Sequence, residues 1–369
     1  MEKGWKNYSI AFARARSAAG GDARIIAQSH QIRITKKAGR DMQNLFARAL
    51  PAMLAVCVAV CTAQSGAARA AAYPERPVTM IVAFAAGGAT DISSRIVGKY
   101  LGQALNQQFV IDNRGGGGGM IAASAVMRAK PDGYTLLSSS SIFVVAPSLY
   151  KNPSYDPFKD FVPVVEFGAS PNVMVVHPQG GIHTVADLIA QARANPTLIS
   201  YGSPGLGTTP QLAAEVLKLR AKINMVHIAY TGGAPAVQAV LSKQIQMMSA
   251  SLSSVMPQIA GGLLKPIVQT GKERWPDLPN VPTTTEAGIT DAVSDTFQAL
   301  FAPAAVPPEI VAKLAKEAIA VLAQKEVKDA LWTAGLKVTA AGPDALRARI
   351  AQEVPMWRDV IEKSGIKAE

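Results

Sequence analysis

Cysteine is almost missing from this chain. Of 369 residues only Cys57 and Cys61 are cysteines, and both lie in one apolar stretch near the N-terminus. The rest of the chain therefore has no disulfide framework, no thiolate nucleophile and no cysteine metal site. Charge is also scarce, at 17% of residues, against 49% hydrophobic. That balance excludes a solvated disordered chain and leaves ample material for buried cores. Several signatures are absent. No Gly-x-x-x-x-Gly-Lys P-loop occurs, and the Gly-x-Gly-x-x-Gly pattern begun at Gly205 fails at Pro210. Ser203 stands in Gly-Ser-Pro-Gly, not in a Gly-x-Ser-x-Gly elbow. His177, His183 and His227 lack metal-ligand spacing. No catalytic residue, metal or cofactor is expected. No repeat of roughly 20–50 residues marks a solenoid.

The net charge of +11 invites a nucleic-acid partner, but its distribution argues against one. Residues 1–41 carry +6 and residues 42–70 carry +2, so the body from 71 onward carries only +3. Residues 49–63 form an uncharged apolar run, shorter than the ~20 residues of a membrane span and suited to a signal-peptide core. Ala68-Arg69-Ala70 offers a cleavage site, so residues 1–70 are expected to be an N-terminal extension plus signal peptide, with Met42 an alternative start.

Two junctions carry the functional signal. Residues 81–91 read Ile-Val-Ala-Phe-Ala-Ala-Gly-Gly-Ala-Thr-Asp, and residues 199–209 read Ile-Ser-Tyr-Gly-Ser-Pro-Gly-Leu-Gly-Thr-Thr. Each is an apolar strand running through a Gly-rich loop into a helix. Such a loop directs unpaired N–H groups and the positive helix end at whatever lies above it. Two copies suggest two facing lips on one anion.

The surrounding pattern alternates strand and helix. Strands are expected at 78–84, 109–111, 134–137, 173–176, 198–201, 226–228, 245–248 and 266–268. Ile92, Ile96, Val97, Leu101 and Leu105 make one helical stripe. Thr184 and Asp187 form a capping box. Thr209 reads as an N-cap with Pro210 at the first helical position. Helices are also expected from Pro307-Pro308 and over 343–361. Gly115–Gly119 reads as a turn, and Trp275, Trp332 and Trp357 as core. Strands separated by helices mean βαβ units, here in two similar α/β lobes with largely parallel sheets.

Several short stretches keep one order and spacing from residue 73 to the end. They are Tyr73-Pro74-Glu75-Arg76-Pro77-Val78, Gly87-Gly88-Ala89-Thr90-Asp91, Asn113-Arg114-Gly115, Pro131-Asp132-Gly133-Tyr134, Tyr155-Asp156-Pro157-Phe158, Tyr230-Thr231-Gly232-Gly233-Ala234-Pro235, Leu278-Pro279-Asn280-Val281-Pro282-Thr283 and Glu286-Ala287-Gly288. In these the chain resembles the substrate-binding proteins of tripartite tricarboxylate transporters, the Bug-type receptors. The resemblance implies a two-lobed clamshell of the periplasmic-binding-protein type. Lobe 1 would be 71–172 plus 297–369, and lobe 2 173–296. It implies a small carboxylate ligand, a periplasmic location and membrane permease subunits as partners. A monomer without nucleic-acid contact is expected.

Carried over by position, the first lip is Phe84, Ala85, Ala86, Gly87, Gly88 and Asp91, and the second is Ser203, Gly205, Gly207, Thr208 and Thr209. Ser138 and Ser139 at a strand end, with Tyr230 and Gly232, would complete the walls. Ala85 and Ala86 stand where the family commonly has prolines, which implies a more flexible lip. Ser249-Ala250-Ser251 stands where the family often has an acidic residue, so a ligand ammonium would lack a partner at Ala250 and amino acids are disfavoured. Two rival readings remain at this level: a receptor that presents its ligand to a signalling partner, and a secreted α/β hydrolase using Ser203 or a serine of 138–141.

Overall fold

The computed structural model describes residues 73–290 and 294–364. The proposed signal segment and cleavage site lie outside the described residues. In chain order the elements are β1 (Val78–Val82), α1 (Ala89–Leu105), β2 (Phe109–Asn113), α2 (Met120–Met127), β3 (Thr135–Ser140), α3 (Ile142–Leu149), β4 (Phe161–Val176), α4 (Val185–Ala194), β5 (Ser200–Ser203) and α5 (Thr209–Ala221). Then follow β6 (Val226–Ala229), α6 (Gly233–Leu241), β7 (Met247–Ser251), α7 (Leu252–Ala260), β8 (Lys265–Gln269), β9 (Asp295–Pro303), α8 (Pro308–Ala323), α9 (Lys325–Thr333), β10 (Lys337–Ala341) and α10 (Pro343–Ser364). Among the described residues no helix is long and apolar enough to cross a membrane.

Two sheets share one strand. In the first, β1 lies parallel between β2 and β3, β9 runs antiparallel to β3, and β4 runs antiparallel to β9 and β10. In the second, β5 lies parallel between β6 and β7, while β7 and β8 run antiparallel to the end of β4. The 16-residue β4 pairs with β9 as far as Pro171 and with β7 from Asn172. The expected strand at 173–176 is thus the tail of a longer one. The α/β class stands, but the sheets are mixed and not largely parallel. Each keeps a three-strand parallel centre built by helical crossovers. The antiparallel pairs arise because β4 leaves the first sheet and β9 returns along it.

Both sheets are covered on both faces, which explains their near-continuous apolar runs. Alternate residues of the first sheet pack in opposite cores. Met80, Leu136 and Leu300 meet Leu101 of α1 and Leu314 of α8, while Ile81, Leu137 and Phe301 meet Phe143 of α3 and Trp357 of α10. Phe143 stacks on Phe301 with ring centroids 4.0 Å apart. The second sheet repeats this, with Val173, Val175 and Met248 against Val240 and Val255, and Met174, Val176 and Met247 against Leu188 and Leu217. Burying each such side chain contributes roughly 1.5–3 kcal/mol before entropy is counted. Arg349 of α10 ties the strands together, bonding Glu166 of β4, Asp295 of β9 and its own neighbour Glu353.

Candidate functional site

Among the described residues six helices begin beyond the carboxyl ends of parallel strands, and four of them matter here: α1 after β1, α5 after β5, α6 after β6 and α7 after β7. This is the end of an α/β sheet where ligands collect. Their N-caps, Gly88, Thr208, Gly232 and Ser251, make no side-chain capping bond. The Thr184–Asp187 capping box, in contrast, closes α4 as its sequence requires. α8 and α9 also start without a capping side chain, so an open end alone is not diagnostic. What distinguishes the four is convergence.

They converge on one cavity of about 30 Å³. Its wall takes Gly88, Ala89 and Thr90 from the start of α1, Thr208 and Pro210 from α5, Gly233 from α6, and Ser251 and Ser254 from α7. Phe84, Ser140, Pro204, Thr296 and Gln298 complete it, and no charged side chain takes part. The two sheets meet above the cavity. Ala85 N–H donates to the Thr231 carbonyl at 3.2 Å. A Cβ on Gly88 would stand 3.4 Å from the Gly233 nitrogen, and one on Gly207 would collide with Leu149 of α3. A cavity of this size holds about one water, so the arrangement is shut.

Of the residues expected at the lips, Phe84, Gly88 and Thr208 line the cavity. Ala85, Gly87 and Gly232 make the cross-sheet contact instead, and Ala86 is exposed. Asp91 is buried behind its loop and accepts from Gly87 N–H at 2.8 Å, from Arg95 and from Asn113. Burial pushes its carboxyl up, but the bonds from Arg95, Gly87 and Asn113 prevail and hold it below the usual range. It orients the first lip without facing the cavity. Ser138 pairs with Ser94 of α1 at 2.7 Å. Ser139, on the other strand face, is not in the wall; Ser140, two residues beyond Ser138 on the same face, is.

In the second lip the N-cap is Thr208, one residue before the expected Thr209. The Thr209 hydroxyl pairs with Thr296. Gly205 and Gly207 shape the loop, where the Gly205 carbonyl accepts from Thr208 Oγ1 at 2.7 Å. Tyr230 packs beside Gly202, outside the wall. Ala250 does not bear on a ligand ammonium, because strand alternation turns its side chain into the second sheet's core while Ser251 faces the cavity. An acid at position 250 would sit among Val173 and Val255, away from any ligand.

Ser203 has a partner the sequence hid. Its Oγ lies 2.7 Å from His227 Nε2, and it also bonds the Gly205 N–H and carbonyl. Ser203 is fully buried and stands outside the cavity wall. His227 stacks on Tyr201, and burial pushes its pKa down against the opposing field of Glu215. The pair braces the loop. Among the described residues no group of three or more His, Cys, Asp or Glu is placed to hold a metal ion.

A larger cavity, about 780 Å³, lies beside the shared strands. Its wall mixes Trp275, Trp332 and Trp357 with Lys272, Glu273 and Asp295. It receives none of the four helix starts, so the small chamber is the candidate site.

Comparison with known proteins bears on this geometry. Residues 93–366 match the family described as the tripartite tricarboxylate transporter family receptor. The solved periplasmic binding protein BugD is 34% identical, with a TM-score of 0.78 over 80% of this chain and all of that one. The R. palustris protein Rpa4515, solved with adipate, is 31% identical with a TM-score of 0.77, covering 80% of this chain and 99% of that one. MatC from Rhodopseudomonas palustris, solved with bound malate, is 29% identical with a TM-score of 0.75, covering 78% of this chain and 100% of that one.

Proposed function

The chain belongs to the tripartite tricarboxylate transporter receptor family and is a solute-binding protein of that type; from that premise we propose that it holds a small carboxylate in the chamber between its two sheets. The observation that carries this is the convergence of four helix N-termini on a wall without charged side chains. Each helix start supplies about half a positive charge, so four supply about two. That suits a mono- or dicarboxylate. Carboxylates are also what the solved relatives hold, adipate in one and malate in another. Binding by backbone dipoles leaves no buried side-chain cation behind on release, an arrangement fit for a carrier.

Entry requires opening. We place two lobes on either side of Pro171–Asn172 and Ser294–Asp295, where β4 passes from one sheet to the other and β9 begins. This moves the boundaries expected from the sequence from 172/173 to 171/172 and from 296/297 to 294/295. The first lobe carries α1, and the second carries α5, α6 and α7. Only a closed clamp brings all four helix starts to one ligand, so ligand affinity favours closure. On this reading the protein works in the periplasm as a monomer, delivers to membrane permease subunits and catalyses nothing. The buried Ser203–His227 pair does not support a hydrolase, because Ser203 has no face toward the chamber. Presentation to a signalling partner would use the same chamber, and neighbouring genes for permease subunits separate the two roles.

The test is a thermal-shift screen of the chain from Ala71 onward against a carboxylate panel, with product analysis. A ligand at 100 times its Kd stabilises by about 2.7 kcal/mol. Saturable stabilisation without turnover is expected. Folded protein that responds to no carboxylate refutes the reading.

A further inference from the structure

Two glutamines of the described residues lie fully buried on strands, and they differ in one respect. Gln269 of β8 is tied at both ends, its Nε2 donating to the Val281 carbonyl at 2.8 Å and its Oε1 accepting from Trp275 N–H at 2.8 Å. Gln298 of β9 has no partner at either Nε2 or Oε1. It is the residue in that condition that also lines the chamber. β9 holds it firmly, between Ser140 of β3 and Gly168 of β4. A buried amide left unpaired is destabilising, so native proteins rarely keep one without a use.

The protons available in the chamber say what the use is. Thr208 Oγ1 already donates to the Gly205 carbonyl, and Ser254 Oγ to the Ser251 carbonyl. Thr296 Oγ1 is engaged by Asn172 and Thr209. Toward the chamber Thr208 and Ser254 therefore offer lone pairs, as does Gln298 Oε1, while the helix starts, the hydroxyls of Thr90 and Ser140 and Gln298 Nε2 offer donors. A bare carboxylate only accepts. It satisfies the helix starts and Nε2, and it leaves Oε1 facing negative oxygen. A ligand that fits must bring a proton of its own. An ammonium would bring it with a positive charge, against four positive helix ends and a wall without a carboxylate. A hydroxyl brings it without charge, and it accepts from Nε2 as it donates to Oε1.

We propose that Gln298 is the specificity-determining residue of this chamber and selects hydroxycarboxylates over their unhydroxylated counterparts. The inference rests on the carboxylate-binding reading above.

Calorimetry with matched pairs tests it: malate against succinate, lactate against propionate, and citrate against tricarballylate, with aspartate as the ammonium control. Wild type should bind the hydroxylated member of at least one pair roughly tenfold or more tighter. Aspartate should bind no better than succinate. Gln298→Met keeps the length and removes the amide. It should abolish the preference, because the hydroxylated member loses both of the bonds that set it apart, and melt no lower than wild type. Wild type that binds acids without a hydroxyl preference, or prefers aspartate, overturns the inference and leaves the carboxylate reading standing. A preference that survives in Gln298→Met, or a variant that melts well below wild type, also overturns it. Wild type that binds none of these acids overturns both.

Discussion

Gly207→Ala separates strain from closure. Gly207 has φ +75°, a left-handed conformation that an L-residue adopts at a cost of roughly 1–2 kcal/mol. That cost falls on the loop whether the clamp is open or shut, and should lower the melting temperature by a few degrees. The added Cβ also collides with Leu149 Cδ2 and stands 3.3 Å from Ile142 Cδ1. Leu149 and Ile142 belong to α3 on the first sheet, whereas Gly207 belongs to the loop after β5 of the second. The collision therefore exists only when the two sheets are together. Overpacking of this kind costs about 1–3 kcal/mol, which weakens ligand binding by roughly five- to 150-fold. Calorimetry with the tightest carboxylate of the panel, alongside thermal melts, reads both effects. Adding Leu149→Ala makes room for the methyl, so the double variant should regain affinity relative to Gly207→Ala while remaining less stable. Affinity for Gly207→Ala within about twofold of wild type, or no recovery in the double variant, refutes closure through this contact.

Two further outcomes follow from the same geometry. Ser254→Asp places a carboxylate at the third residue of α7, in the chamber wall. There it opposes a ligand carboxylate with about 4 kcal/mol at roughly 4 Å and intermediate dielectric. Calorimetry on the folded variant should show carboxylate binding weakened more than a hundredfold, and undiminished binding would dissociate the chamber from the ligand. His227 is held neutral by burial, so below about pH 6.5 the unfolded chain takes up a proton that the folded chain refuses. Its stability contribution is complete above that value and is lost as pH falls. Urea unfolding of wild type and His227→Gln at pH 7.5 and 5.5 isolates it. The raised carboxyls of Glu166 and Glu353 act in the opposite direction and cancel in the difference. Equal pH slopes in the two proteins would show that the ring titrates freely.

Much of the fold was legible because its signals are local. The run 78–82 between Pro77 and the Gly87-Gly88 loop reads as a buried strand, and Thr184 with Asp187 reads as a cap, without reference to anything distant. Helices α6 and α7 were not read from the sequence. Pro257 interrupts the pattern of α7, and the Gly-Gly-Ala-Pro start of α6 resembles a turn. Their N-termini supply half of the converging helix ends. Gln298 was equally hidden, since one polar residue within Phe297–Phe301 gives no local sign of whether its amide is paired. The serine run 138–141 marked a polar strand end, but alternation turned Ser139 away while Ser140 reaches the chamber and Ser138, on the same face, pairs with Ser94. Ala250 shows the same limit in reverse, a position judged by its neighbours in sequence and turned by the pleat into the core.

The sequence by itself determined the α/β class, the two strand–glycine–helix junctions and a chemistry without cysteine, metal signature or P-loop. Those properties rest on periodicity and on backbone freedom, which act within a few residues. Only the tertiary structure decided that four helix ends meet in one chamber, that Asp91 orients a lip without facing the cavity, and that, of the two buried strand glutamines among the described residues, Gln298 has both ends free. Those depend on register between strands far apart in the chain. A one-residue slip there exchanges core for cavity while leaving every local pattern unchanged.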